Sequence, residues 1–259
     1  MDYQLIIDLT TTYWWLVLLF LFVAILYSSV GFGGGSSYLA LLALTTLSFT
    51  EIRSISLMCN IVVVIGGTHI FARSGHFNWK KIIPLVLFSV PMAFIGGYLK
   101  ISQSLFFILL GFSLLIAALS MFFNFKNKVE SDEFYQKSSV RDVFFGGGIG
   151  LLSGMVGIGG GIFLAPLLHL TKWDTSKKIA ATASFFILVN SISGLLGQIT
   201  NPEFSINYEL TGILLVIVFI GGQIGSRIGA QLVSQLFLKR ATAILIAYVA
   251  ITILNKYFF

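Results

Sequence analysis

Charge is what this sequence has least of. Only 10% of its 259 residues are Asp, Glu, Lys or Arg, whereas 57% are apolar. A soluble domain carries about 25% charged residues. Phe alone occurs 25 times, against 10 for Asp and Glu together. No water-soluble globule of this size hides so much apolar surface, so soluble enzymes, nucleic-acid binders and disordered regulators are excluded. Cysteine is nearly absent: Cys59 stands alone in an apolar run, which excludes an internal disulfide and marks a small core residue. The start, Met1-Asp2-Tyr3-Gln4 with Asp8 beyond, lacks the basic segment of a signal peptide, so the first apolar run is expected to be mature structure. The composition describes a polytopic, all-α membrane protein. Its net charge of +6 is the mark of cytoplasmic loops rather than of a nucleic-acid partner.

Carboxylates are missing from the spans altogether, which argues against the acidic relay common in proton-coupled pumps. No loop is long enough to hold a nucleotide-hydrolysing domain. No span carries a Ser/His/Asp set or paired carboxylates, so no catalytic residue is expected, and no metal or cofactor. His69 reads as interfacial near the basic end of its span, and His169 as a weaker case still.

What is present is a set of apolar stretches, each near the 20 or so residues that cross a bilayer. Segments 54–72, 82–99, 101–125, 179–202, 210–230 and 237–256 read as single spans. Two charge-free stretches do not fit. Leu9–Thr50 is 42 residues long, about 63 Å as one straight helix and twice the hydrocarbon thickness. Val143–Thr171 is 29 residues long. Each is interrupted by the pentad Gly-x-Gly-Gly-Gly, at 31–35 and 157–161. Glycine is the poorest helix former after proline, so each pentad is expected to break its helix into two arms of a re-entrant hairpin.

The pentads lie 126 positions apart, and Phe94-Ile95-Gly96-Gly97 returns as Phe219-Ile220-Gly221-Gly222 at an offset of 125. Two echoes at nearly one offset indicate a duplication. The first repeat is 1–125, with hairpin 9–50 and spans 54–72, 82–99 and 101–125. A cytoplasmic linker, 126–141, joins it to the second repeat, 142–259, with hairpin 143–171 and the remaining three spans. If both pentad regions are hairpins, the second repeat is inverted and the 16 cations divide 13 to 3 between the two faces. If each region crosses once, they divide 8 to 8. The positive-inside rule selects the hairpins and places both termini outside the cytoplasmic membrane. Trp14, Trp15 and Trp79 fall near span ends, where interfacial anchors belong.

The sequence resembles the sulfite exporter TauE/SafE family over nearly its whole length. The resemblance rests on Val30-Gly31-Phe32-Gly33-Gly34-Gly35 and on Gly154-Met155-Val156-Gly157-Ile158-Gly159-Gly160-Gly161. Lys178-Ile179-Ala180-Ala181-Thr182-Ala183-Ser184 and Gly221-Gly222-Gln223-Ile224-Gly225-Ser226 also resemble the family's later motifs. It implies transport of small sulfur-containing anions or organic acids, often outward.

The pentads are the candidate substrate site. A helix restarting after a break presents free N–H groups and a positive dipole end. Two such breaks facing each other near the midplane are a recurring transporter arrangement. Gly33, Gly34, Gly35, Ser36 and Ser37 are therefore assigned to substrate binding, with Gly159, Gly160 and Gly161 opposite. Close helix packing is the competing explanation for these glycines. A dinucleotide-binding loop is excluded because Ser36 and Ile162 stand where its last glycine belongs. Asn60 and Asn190, in the span after each break, either line the site or bind a neighbouring helix. Thr182 and Ser184 share that ambiguity. Gly221, Gly225 and Gly229, spaced by four, read as packing residues. The expected partners are a small anionic substrate and the lipid bilayer, with no nucleic acid; no oligomeric state follows from the sequence. An inside-negative potential favours anion exit by about 2.3 kcal/mol per charge per 100 mV, so export needs no other coupling. An anion channel, and a permease for a non-sulfur organic acid, stand as alternatives.

Overall fold

A computed structural model describes residues 13–29, 33–122, 139–171, 173–228 and 235–257. The stretch around Asp8, Val30 to Phe32, most of the 126–141 linker, and Gly229 with the rest of the loop before the last helix lie outside the described residues. Among the described residues the chain is entirely helical. The helices are α1 (Trp14–Ser29), α2 (Gly35–Leu42), α3 (Phe49–Arg73), α4 (Trp79–Tyr98), α5 (Gln103–Phe122), α6 (Ser139–Val156), α7 (Gly161–Leu170), α8 (Ser176–Ile199), α9 (Tyr208–Ile228) and α10 (Gln235–Tyr257). Five of them, α3, α4, α5, α8 and α9, hold 18 or more consecutive residues apolar enough to cross a bilayer. The outer surface is apolar too: Leu87, Phe144, Val216 and Ile244 are all more than half exposed. A surface of that kind is stable against lipid and not against water.

Both glycine pentads interrupt helix, and in both cases the second arm folds back. A straight helix would separate Phe20 from Tyr38 by about 27 Å, yet their rings stack at 4.6 Å. Tyr27 Oη lies 3.1 Å from Ser37 Oγ beside them. In the second case Trp173, just past α7, donates its indole N–H to Asp142 in the first turn of α6 at 3.2 Å. The second arm thus ends beside the start of the first. The two turns are built alike: Gly34 (φ 81, ψ 8) and Gly160 (φ 82, ψ −14) are left-handed N-caps of α2 and α7. An L side chain avoids that conformation, which is why glycine occupies both.

Helix pairing is reciprocal. α6 lies parallel to α4, with Gly146, Gly150 and Gly154 seated against the carbonyls of Leu85, Ser89 and Ala93. α1 lies parallel to α9 in the same manner: Gly221 is close to the Leu21 carbonyl and Gly225 to that of Ile25. Small residues every fourth position let these backbones approach. α3 and α8 run antiparallel, since Ser54 bonds Gln198 near one end and Thr68 bonds Ser184 near the other. α5 and α10 are antiparallel as well, with Phe107 stacked on Tyr257 and Gly111 against Leu254.

Several boundaries differ from the sequence expectation by two to five residues: α4 starts at Trp79 rather than 82, α8 at Ser176 rather than 179, and α6 at Ser139, inside the expected linker, while the largest shift is at the start of α3. The span expected at 54–72 begins at Phe49, because Ser48 and Glu51 form a reciprocal capping box. Arg53, counted above among the loop cations, is therefore inside α3 and only 3% exposed. Cys59, as expected, is buried in the core.

Candidate functional site

The two pentads meet, and α3 brings them together. Ser56 Oγ lies 3.2 Å from the Gly35 carbonyl and 3.0 Å from the Gly157 carbonyl, one in each pentad. One turn further, Asn60 Nδ2 donates to the Ile158 carbonyl at 2.9 Å. Asn60 is the twelfth of 25 residues in α3, so the junction sits near mid-helix. Its amide fills the space that side chains on Gly33 and Gly35 would need, and comes close to Gly159. A β-carbon on Gly35 would also stand 2.6 Å from the Ile158 carbonyl. Glycine at these places is a requirement of close approach.

The restart of each helix leaves donors in hand. The first intrahelical bonds are given by Ser37 and Tyr38 to the Gly34 carbonyl, and by Phe163 and Leu164 to the Gly160 carbonyl. The amides of Gly35, Ser36, Gly161 and Ile162 precede those ladders, at the positive ends of the two helix dipoles. Several side-chain atoms around the junction are buried without a hydrogen-bond partner: Asn60 Oδ1, Tyr38 Oη, Ser153 Oγ and Ser191 Oγ. Ser191 Oγ and Asn60 both approach Gly159, while Ser153 and Tyr38 touch Gly160 and Gly34. Buried polar atoms are seldom left unmatched, so their clustering marks a place that water or a polar solute completes.

The remaining sequence candidates separate. Gly33, Gly34, Gly35, Gly159, Gly160 and Gly161 are at the junction, all buried, with Ser36 and Ser37 directly behind. Ser37 is engaged by Tyr27. Asn190 turns to α4, where its amide donates to Ser89 at 3.0 Å and to the Phe186 carbonyl of its own helix at 2.8 Å. Thr182 donates to the Lys178 carbonyl one turn back. Ser184 pairs with Thr68 at 3.1 Å, linking α8 to α3. At the junction, α8 presents Phe186 to Gly160, Ile187 to Gly159 and Gly161, and the Ser191 hydroxyl to Gly159.

Two features escaped the sequence. The first is Ser56, an unremarkable serine until the pentads close on it. The second is Arg53, whose Nη2 donates to the carbonyls of Gly96 (3.3 Å), Gly97 (3.3 Å) and Gly154 (3.1 Å). The Ser48-Phe49-Thr50-Glu51 capping signal places the helix start ahead of Arg53 and was the clue to its burial. At the far end of α4 the charges pair conventionally. Asp174 binds Lys81 at 3.2 Å and Lys178 at 3.5 Å, and accepts the Thr175 N–H. Burial pushes its carboxyl up, but that N–H and the two lysines outweigh it and hold it below the usual carboxylate range.

Comparison with known proteins agrees with this architecture. The family model for sulfite exporter TauE/SafE matches residues 16–253. A "Probable membrane transporter protein" of Sinorhizobium fredii is 29% identical over 233 residues, 89% of this chain and 94% of that protein. One of Bacillus subtilis, with the same description, is 27% identical over 208 residues (78% and 76%). Another, of Methanocaldococcus jannaschii, is 25% identical over 173 residues (62% and 63%). No solved structure matches the chain. An all-helical, lipid-surfaced chain with converging helix breaks, matched by the family model over nearly its full length, belongs to the sulfite exporter TauE/SafE family of multi-pass membrane transporters.

Proposed function

We propose that this transporter exports small sulfur-containing anions, such as sulfite or a sulfonate, across the cytoplasmic membrane by alternating access, and that it holds them at the pentad junction. The observation that carries this reading is the single hydroxyl of Ser56 within reach of both pentads, with Asn60 wedged between them. The first amides of α2 and α7 are the anion donors, and the family's description supplies the substrate class. One dipole end contributes about 0.3–2 kcal/mol, whereas stripping an ion of water costs on the order of 20. Several donors and retained water are needed together, which suits a site assembled from two halves.

In this reading the halves are inverted repeats, each a re-entrant hairpin followed by three spans. The reciprocal pairing of α1 with α9 and α4 with α6 supports it, as does the antiparallel course of α3 against α8 and α5 against α10. Such pairs are parallel if each pentad region crosses once. The Lys81 end faces the cytoplasm, in keeping with the 13-to-3 division of cations, and both termini lie outside. Tags at each terminus are expected to be protease-accessible in intact cells; a protected N-terminus sinks the topology. For transport, proteoliposomes loaded with sulfite, sulfate, thiosulfate, sulfonates or carboxylates are expected to show saturable efflux of the sulfur anions, accelerated by an inside-negative potential. Efflux indifferent to potential yet driven by a pH gradient overturns the mechanism, and steady single-channel currents replace the carrier with a pore.

A further inference from the structure

We propose that Arg53 is the latch of the outer gate: its guanidinium pins α3 to α4 and α6 while the junction is closed to the outside, and lets go when the junction opens outward. This deepens the proposed function and rests on its alternating-access reading. Arg53 is 3% exposed, and among the described residues no carboxylate lies within ion-pair distance of it. Its Nη2 instead lies within hydrogen-bonding distance of three carbonyls, those of Gly96 and Gly97 on α4 and of Gly154 on α6. All three belong to the last turn of their helices, where backbone acceptors lack intrahelical donors and the dipole end is negative. α4 and α6 run parallel, so two negative ends lie side by side. One guanidinium from a third helix answers both.

The helices joined in this way are packed differently. α4, α6 and α8 touch backbone to backbone: Gly96 is seated against the Leu151 carbonyl, Gly97 against that of Gly194, and Gly197 against that of Phe94. No side chain fits into that seam, so the three helices form one block. α3 meets the block through side chains. On the outer side of the junction these are Arg53 and Ser54, whose Oγ lies 2.9 Å from the Gln198 side chain. On the inner side α3 reaches α8 through the hydroxyl pair of Thr68 and Ser184 at 3.1 Å. A β-carbon on Gly66 nearby would meet nothing within 4 Å. The charged contact therefore guards one side of the junction and a neutral one the other.

The architecture does not require this cation. At the pentads' offset of 126 the second repeat carries Ile179, buried and apolar, and the cation beside it, Lys178, goes to Asp174. A cap demanded by the fold would recur at both positions. A buried charge without a counter-ion also costs stability, so its presence in a membrane helix points to function. The latch is tied to the glycine break. Gly154, which accepts from Arg53, lies in the last turn of α6 before the second pentad, and a β-carbon on Gly157 would stand 3.0 Å from the Arg53 Cα. Arg53 is the fifth residue of α3, so a released guanidinium reaches the outer water along its own stem.

Sided labelling of the junction tests this. The Ser191 hydroxyl faces Gly159 there, so Ser191→Cys in a Cys59→Ala background supplies one reporter thiol. A membrane-impermeant maleimide is applied to right-side-out and to inside-out vesicles, with folding followed by gel filtration. Arg53→Gln is expected to speed labelling from outside by about tenfold, the scale of one lost hydrogen bond to a charged group, and to slow it from inside. Arg53→Lys keeps the charge without the planar fork and is expected to fall between. Thr68→Val, at the inner contact, is expected to shift labelling the opposite way, which keeps the test alive if Arg53→Gln does not fold. Faster labelling from both sides in Arg53→Gln reports loosened packing and overturns the latch. Labelling unchanged on both sides, or a Thr68→Val shift toward the outside, overturns it too. Sulfite efflux from proteoliposomes separates the two readings. Normal efflux with unshifted labelling sinks the latch alone, whereas no efflux from wild type sinks the proposed function and the latch with it.

Discussion

Asn60 and Ser56 face the glycine breaks from α3, while α8 carries Phe186 and Thr182 at the same offset of 126 residues. The pentads themselves are nearly identical, and both N-cap glycines take the same left-handed conformation within a few degrees of φ. The two breaks are therefore furnished differently. α3 offers an amide and a hydroxyl that reach across to the opposite pentad. α8 offers a ring, an aliphatic side chain and the Ser191 hydroxyl, all of which face its own pentad.

Substitutions at the matched glycines should break this comparison with the largest effect. Gly34→Leu and Gly160→Leu each force a side chain into a left-handed position and into neighbouring rings. Both should abolish sulfite flux in proteoliposomes while leaving insertion largely intact, and normal flux in either removes the pentads from the mechanism. Asn60→Leu comes next. It strands the Ile158 carbonyl at a cost of about 1–3 kcal/mol, and flux should fall further than the melting temperature accounts for. Asn190→Leu, on the structural side of the comparison, should lower the melting temperature by a similar amount and leave the apparent Km unchanged. If both asparagines behave alike, the asymmetry has no functional meaning.

Smaller effects sharpen the contrast. Ser56→Ala loses a contact between the pentads worth about 1 kcal/mol, and should raise the apparent Km. Thr182→Ala loses only a bond to its own helix and should leave it alone. The smallest effect is expected at Asp174. A carboxyl whose folded pKa is depressed contributes stability above its unfolded pKa, and that contribution is lost as pH falls through the folded value. Thermal melting of wild type should therefore decline below about pH 4, and Asp174→Asn should flatten that part of the profile. An unchanged profile places the acid sensitivity elsewhere.

Asparagine shows best where the sequence stops. Asn60 and Asn190 look equivalent in a linear reading, each well inside the span after a pentad. Only packing sends one amide into the junction and the other to Ser89 on α4. Arg53 teaches the converse. A cation at the edge of an apolar stretch reads as a loop residue, because composition carries no information about which carbonyls will be near. The Ser48–Glu51 capping signal was present and marked the true helix start.

Membrane residence, the two helix breaks and the family follow from sequence alone, since each rests on local chemistry: apolar run length, the helix-breaking cost of glycine, and a motif written in consecutive residues. Tertiary structure alone decided that the breaks touch, that Ser56 and Asn60 are what they touch through, and that Arg53 is buried. Those outcomes depend on backbones brought within contact over about 100 residues of sequence, and no local pattern encodes a distance of that kind.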